Sequence, residues 1–284
     1  MSEYVYDTWG GLTLGDNGTD PVTYGLIRTG GLEDIAFDGD PIQGSFDGEA
    51  STAMRAVSRS WTTELDLAQG PGAARQTLLN NLRTATASAA EGEYVIYDRD
   101  TVYTIFAHVV KRSLPRDADM IERGYGEGSV TFGAYDPVIY GPETEDTFDA
   151  ETGELVVTSD GWVGSERWTW VVDGPATNPQ IASTVGDTAI IRYVGSVASG
   201  HHLVVELLPK GQIPGYRAKV VTTAQLPNYR TVGVGTNVYG AMDGGSAGAR
   251  IPQWFPVVPG AQTVTYSATS GAGESRFTWR AGFN

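Results

Sequence analysis

Three histidines, His108, His201 and His202, are the first side chains to test for chemistry. His108 lies in a stretch of alternating apolar and polar residues, which favours a core or surface histidine over a catalytic base. His201 and His202 follow a glycine, and the local sequence places no acidic partner beside them. Because a zinc site needs three or four ligands, we predict that the histidines bind no metal.

Carboxylates could cleave glycosidic bonds if two of them faced each other a few ångströms apart. The chain has 34 Asp and Glu residues, so a chance pair is expected and their number is not evidence. The glycine-rich stretches 233–235 and 244–248 lack the lysine and the following helix of a phosphate loop. We therefore predict no catalytic residue, no cofactor and no enzymatic activity.

Aromatic side chains offer the remaining chemistry, since sugar-binding sandwiches stack carbohydrate rings on exposed aromatic residues. The tryptophans of the C-terminal part stand mostly in alternating stretches, which predicts that they face a core; they are Trp168, Trp170, Trp254 and Trp279. Tyr229 and Tyr239 lie instead in loops rich in Gly and Asn. We predict that these two tyrosines are exposed and contact a glycan or a partner protein.

The elements that would position these residues are mainly strands. Residues 56–67 alternate well and predict a long strand, and residues 93–97 and 102–110 predict a hairpin around residues 98–101. One helix is predicted over about 71–90, where Pro71 suits a first turn and leucines and alanines recur at helical spacing. Several strands and one covering helix indicate a small β-barrel or sheet with a packed helix, over residues 1–143.

The second half is strand and turn throughout, and it predicts a β-sandwich over residues 165–284. Between the two domains, residues 144–164 are acidic and contain few large apolar side chains. We interpret that segment as a linker or an exposed excursion. Cysteine is absent, which excludes disulfides and thiolate metal sites, and no apolar run approaches the length needed to span a bilayer.

Charge is distributed unevenly along the chain, which has a net charge of −15. Residues 1–143 contain 22 Asp and Glu against 10 Lys and Arg, whereas residues 176–284 contain 4 against 8. An acidic half argues against wrapping nucleic acid, because affinity for phosphates comes from positive charge. Two interpretations remain open: ordinary solubilising surface charge, or an acidic channel wall that repels DNA and lets it slide.

Several motifs together resemble distal tail proteins of long-tailed bacteriophages. The run Phe132-x-Ala-x-Asp-Pro-x-x-Tyr140 is similar to the sequence that closes the first domain in that family. The second domain begins similarly, with an aromatic strand from Trp168 to Gly174 and then Asn178-Pro179. It also ends similarly, with an Arg-x-Thr-x-Arg strand from Arg276 to Arg280.

The resemblance implies a galectin-like sandwich for the second domain and a virion protein at the tail tip. It implies a homo-hexameric ring, assembled in the host cytoplasm, that joins the tail tube protein to tail-tip hub and receptor-binding proteins. The ring would leave a channel through which the tape measure protein and DNA pass without specific binding, and it would not insert into a membrane. Two alternatives remain: a module that binds a host carbohydrate or receptor, and a tail-tube subunit.

Overall fold

The chain forms two compact units, residues Met1–Ile139 with Asn284 and residues Tyr140–Phe283. A computed structural model describes residues 5–15, 24–30, 35–38, 55–66, 73–87, 91–98, 101–114, 126–150, 152–184, 189–208, 216–245, 251–271 and 273–283. Within those ranges the chain is mainly β-strand with one α-helix. The sequence-based prediction of a mainly β chain with one packed helix is therefore confirmed.

The first unit is built from long antiparallel strands and the helix α1. Its elements are β1 Val5–Trp9, β2 Leu12–Gly15, β3 Gly25–Gly30, β4 Ile35–Asp38, β5 Arg55–Asp66, α1 Ala73–Ala85, β6 Gly92–Asp98, β7 Thr101–Ser113 and β8 Glu127–Ala134. They pair in the order β2-β1-β6-β7-β8-β5, and both β3 and β4 pair with β5. Of the two predicted alternatives, barrel or sheet, the structure has the sheet, because no described strand closes it into a barrel.

Strand β7 connects the two parts of this sheet. Residues 101–107 pair with β6, whereas residues 108–113 pair with β8, with a register shift between Val109 and Lys111. Such a shift bends the strand and increases its twist. The two faces that result enclose an aromatic core of Trp9, Trp61, Tyr94 and Phe132, with Leu82 of α1 buried in the same core.

The predicted elements of this unit occur close to their predicted positions. Strand β5 buries alternate residues from Arg59 to Leu65, as period-2 patterning requires. The hairpin of β6 and β7 closes with Asp98 opposite Thr101. Strand β8 ends just before Asp136-Pro137, as expected because proline has no N–H to continue the ladder, and the Asp136 carboxylate accepts a hydrogen bond from the Val138 N–H at 3.2 Å.

The second unit is a sandwich of two sheets. Its strands are β9 Ile139–Thr147, β10 Glu154–Ser159, β11 Trp168–Asp173, β12 Ala176–Thr177, β13 Gln180–Ser183, β14 Ala189–Tyr193, β15 Ser196–Val197, β16 His201–Leu207, β17 Tyr216–Thr222, β18 Thr236–Asn237, β19 Met242–Asp243, β20 Gly260–Ser267 and β21 Ser275–Phe283. One sheet runs β18-β17-β16-β11-β21-β9 and the other β10-β20-β13-β14-β19. Strands β12 and β15 form a separate two-stranded ladder.

Tryptophans fill the space between these sheets, as their alternating positions predict. Trp168 and Trp170 are buried, and their indole N–H groups donate to the Phe255 carbonyl and to the Ser275 hydroxyl, each at 2.8 Å. Trp279 is also buried, whereas Trp254 is only half-buried at the edge of the core. These two bonds stabilise the core, because an unpaired N–H there costs about 1–3 kcal/mol.

The acidic segment 144–164 differs from the predicted linker. Its residues 154–159 form β10, which pairs along its whole length with β20 of the sandwich. Leu155 and Val157 are buried while Glu154 and Val156 are exposed, so Glu154 lies on the outer face of an edge strand. Glu145 and Asp146 are exposed on β9, so these three of the acids that suggested a linker occupy solvent-facing strand positions.

Candidate functional site: a groove on the outer face of the sandwich

Glu206 is the centre of the most unusual polar cluster in the second unit. It lies on β16 among apolar residues, and only 1% of it is exposed. Its neighbours Val205 and Leu207 point into the sandwich core, so the alternation of a strand turns the Glu206 side chain to the outer face. A buried carboxylate must be paired, because its desolvation is costly otherwise.

Two arginines and one tyrosine provide that pairing. Arg217 stands directly opposite Glu206 on β17, and its Nη1 donates to Glu206 Oε2 at 3.0 Å. Arg230 donates to Oε1 through Nε at 2.8 Å and through Nη2 at 2.6 Å. The hydroxyl of Tyr229 donates to the same oxygen at 3.0 Å. Both carboxylate oxygens are therefore occupied.

These contacts hold a loop, residues 223–235, over the outer face of the sheet. Under it, Val171, Val204 and Val221 form a small apolar cluster with Leu226 and Tyr229. Lys219 also holds the loop in place, because its Nζ donates to the backbone carbonyls of Tyr229 at 2.8 Å and Thr231 at 3.1 Å.

The returning end of the loop comes very close to the sheet at Gly235. A Cβ at this position would lie 2.5 Å from Val221 Cγ1 and 2.9 Å from the Val220 carbonyl oxygen. The backbone there has φ +72°, which only glycine adopts readily. Gly235 therefore allows the chain to turn back into β18 and to form one wall of a groove.

We call the resulting depression the Tyr216 groove. It has a volume of about 520 Å³. Its lining residues are Tyr216, Arg217, Lys219, Arg230, Val232, Gly233, Val234, Gly235, Asn237 and Tyr239. Three of these carry positive charge, and none of the lining residues in the described part of the chain is acidic. A smaller cavity of about 220 Å³ lies on the other side of Tyr216. Its walls are mainly apolar, including Leu208, Trp254 and Pro256, and Glu166 is the one charged side chain among the described residues that line it.

Three parallel aromatic rings separate the two cavities. The Tyr216 ring centroid lies 4.9 Å from that of Tyr239 and 5.0 Å from that of Trp254, with angles between ring planes of 15° and 9°. The ring centroids of Tyr239 and Trp254 are 6.5 Å apart. If the three rings formed one column with Tyr216 in the middle, the two outer centroids would lie farther apart than this. Tyr216 therefore lies across both other rings, and it keeps 39% of its surface exposed.

The two tyrosines predicted from the sequence have different surroundings. Tyr239 is half-buried in the aromatic stack and lines the Tyr216 groove, and its contact with a glycan or a partner protein stays a prediction. Tyr229 is half-buried, with its hydroxyl on Glu206 and the Arg230 guanidinium 5.3 Å above its ring. Tyr229 therefore supports the groove from below and is not an open contact residue.

Ionisation of both tyrosines is suppressed in the folded chain. Burial, followed by the nearby Glu206 carboxylate, raises the pKa of Tyr229 to about 12. Burial and the hydrogen bond with Tyr216 raise the pKa of Tyr239 to about 12 as well. Burial and the neighbouring Arg217 lower the pKa of Lys219.

An alkaline titration tests these surroundings. Because the folded pKa values lie above the ordinary value of 10.0, the stabilisation by neutral Tyr229 and Tyr239 is complete below pH 10 and is lost towards pH 12. We expect ultraviolet absorbance to show Tyr229 and Tyr239 ionising in a late phase well above pH 10, together with unfolding of the second unit. Tyr229→Phe should remove one of them from the late phase. Ionisation of every tyrosine near pH 10 in a chain that stays folded would contradict this placement.

His202 has an acidic partner that its local sequence does not reveal. Asp173 stands opposite it on β11, and Asp173 Oδ1 lies 2.6 Å from His202 Nδ1, while Nε2 lies 2.9 Å from the Thr223 hydroxyl. Acid, imidazole and hydroxyl occur in the same order in hydrolase triads. Here the Thr223 hydroxyl also donates to the Gly200 carbonyl at 3.4 Å, and we interpret the chain of contacts as a link between strand ends.

The other sequence-derived candidates have no ligand-binding geometry in the part of the chain that the structure describes. His108 stacks on Tyr135 with ring centroids 4.5 Å apart. Among the described residues, no group of three or more His, Cys, Asp or Glu side chains is arranged to hold a metal ion. The same residues include no helix that is both long and apolar enough to cross a membrane.

Comparison with known proteins shows what this fold is similar to. No protein-family model matches the chain, and no curated protein sequence matches it. Among solved structures, the chain is similar to the Dit protein of phage SPP1, described as a paradigm of the hub adsorption apparatus in phages that infect Gram-positive bacteria. The two share 14% identity with a TM-score of 0.62, over 99% of each chain.

Two structures of the phage P2 baseplate in its activated conformation, with Ca and with Sr, also contain a similar chain. Identity is 8% and 9%, the TM-scores are 0.56 and 0.53, and 98% of each chain is covered in both cases. Each alignment spans both units, so the fold of the whole chain is that of these phage tail proteins. The resemblance seen in the sequence motifs is confirmed at the level of the fold.

Proposed function

We propose that this chain is a structural protein of a phage virion that forms a hexameric ring at the distal end of the tail. The observation that supports this most strongly is the likeness of both units, over 98–99% of the chain, to proteins of a phage adsorption hub and baseplate. A ring of this kind joins the tail tube protein to the tail-tip hub and receptor-binding proteins. Its function is self-association and docking, with no catalytic step.

In this proposal residues 1–143 build the ring and residues 165–284 project from it. Cyclic closure requires a head-to-tail interface, in which two different surfaces of neighbouring copies meet. The surplus of 22 acidic over 10 basic residues in the first domain would make a channel that repels DNA. The tape measure protein and then the genome could pass through such a channel without specific binding. Assembly takes place in the host cytoplasm, and no membrane insertion is involved.

Electron microscopy of gold-labelled virions tests this function. With antibodies against this chain, we expect label only at the tail tip and six copies per particle in averaged images. Antibodies against the major tail-tube subunit, which decorate the whole tail, serve as the matched control. Label along the entire tail would favour a tail-tube subunit instead, and particles without label would contradict a virion role.

A second candidate function is recognition of a host carbohydrate by the sandwich. The observation that favours it is the Tyr216 groove, where aromatic rings and positive charges line one accessible cavity. The groove lies on the outer face of one sheet, whereas the opposite face of that sheet packs into the sandwich core. A ligand in the groove would therefore not disturb the core, and the two functions can coexist.

A further inference from the structure

Positive charge is concentrated at the Tyr216 groove although the chain as a whole is acidic. Arg217, Lys219 and Arg230 line it, and one carboxylate, Glu206, lies beneath them. Arg217 uses one of its five N–H donors on Glu206, and Arg230 keeps 58% of its side chain exposed. The guanidinium groups are therefore held in place by Glu206 while donors remain for an anion in the groove.

Flat aromatic surface stands next to this charge. The Tyr216 ring rests on Tyr239 and Trp254, so it cannot tilt freely, and its outer side is exposed. The negative face of an aromatic ring attracts the C–H groups of a sugar ring placed on it. Because Tyr216 borders both cavities, one ligand can lie on the ring and reach the cations on one side.

We propose that the Tyr216 groove binds an acidic saccharide. Its sugar ring lies on Tyr216, and its carboxylate or phosphate is bound by Arg217, Arg230 and Lys219. The proposal deepens the second candidate function and rests on it, but it does not require the ring.

The shape of the groove favours a short saccharide over an acidic peptide. Its volume of about 520 Å³ lies in the range of pockets for small ligands, roughly 300–1,000 Å³. The stacked rings form a flat wall, which suits a sugar ring better than an irregular side chain. Neutral sugars would leave the three cations without an anion, so we expect them to bind more weakly.

Binding of defined probes by the full-length chain tests the proposal. The probes are a galacturonic acid trimer, its neutral methyl ester, glucose 1-phosphate and a glutamate peptide of the same charge as the trimer. Calorimetry should show the trimer or the sugar phosphate binding at least about tenfold more tightly than the neutral ester, as expected for hydrogen bonds to charged groups. Binding should weaken with added salt.

Two variants separate the contributions of charge and ring. Arg217→Gln keeps a side chain that can bond to Glu206 but removes one cation, and Tyr216→Ala removes the platform. Each should weaken binding of the acidic probe by about tenfold, while circular dichroism and thermal unfolding show whether each variant is folded. Arg83→Gln, on α1 of the first unit, removes the same charge and should leave binding unchanged.

The outcomes decide between clear alternatives. The proposal is wrong if no acidic sugar binds, if the neutral ester binds equally well, or if the glutamate peptide binds best. Binding that is preserved in both folded variants would also place the ligand elsewhere. Labelling of virions by electron microscopy is independent of these results, so failure of the groove proposal is distinguishable from failure of the proposed tail function.

Discussion

Trp170→Ala should reduce the free energy of unfolding of the second unit by about 3–5 kcal/mol. The side chain is fully buried between the two sheets of the sandwich. Its removal leaves a large cavity and deprives the Ser275 hydroxyl of the indole N–H that donates to it at 2.8 Å. Urea denaturation followed by circular dichroism measures the change.

A second tryptophan provides the matched control for this experiment. Trp162 lies in the same unit but is 73% exposed, with an edge contact to the ring of Phe283. Trp162→Ala should change the free energy of unfolding by less than about 1 kcal/mol, because exposed substitutions cost little. Equal losses in the two variants would show that Trp170 is not a core residue.

Glu206→Ala should destabilise the second unit by about 2–3 kcal/mol and release the loop of residues 223–235. The change leaves Arg217, Arg230 and the Tyr229 hydroxyl without their shared acceptor. Removing one member of a fully buried ion pair costs about 3–5 kcal/mol, but Arg230 is partly exposed and can turn towards water. Denaturation gives the stability, and limited proteolysis reports the release of the loop.

Two further substitutions make the Glu206 result specific. Glu206→Gln keeps an oxygen acceptor for Tyr229 but loses the charge. Its free energy of unfolding should therefore fall between those of the wild type and Glu206→Ala. Glu154→Ala, on the exposed face of β10, should change stability by no more than about 0.5 kcal/mol. A loop that resists protease equally well in Glu206→Ala would contradict the anchoring role.

The strands of this fold were predictable because burial repeats every second residue. The alternation in β5, the hairpin of β6 and β7, and the break at Asp136-Pro137 are all local properties of the sequence. In β10 the same alternation is present, but the surrounding acids suggested a linker. Local charge is a poor guide there, because an edge strand with one solvated face tolerates acids on that face.

The groove could be predicted only in part. Tyr239 was singled out by its loop composition and does line the groove. Arg217, Lys219 and Arg230 were not singled out, because they contact Glu206 and the loop across a hairpin and a turn. One signal was available: a single glutamate inside the apolar run of residues 203–208 must find cations nearby. Strand register places Arg217 opposite Glu206 and Asp173 opposite His202. This register depends on the tertiary pairing of strands, so local composition does not predict it.

The position of the groove along the chain has an evolutionary consequence. Except for Trp254, its charged and aromatic parts come from residues 206–239, which form one hairpin and the loop that follows it. If the groove binds a saccharide as proposed, exchange of this single cassette would change which saccharide is bound, while the tryptophan core of the sandwich stays unchanged. Such a cassette is about one-eighth of the chain, short enough to be replaced in one recombination event.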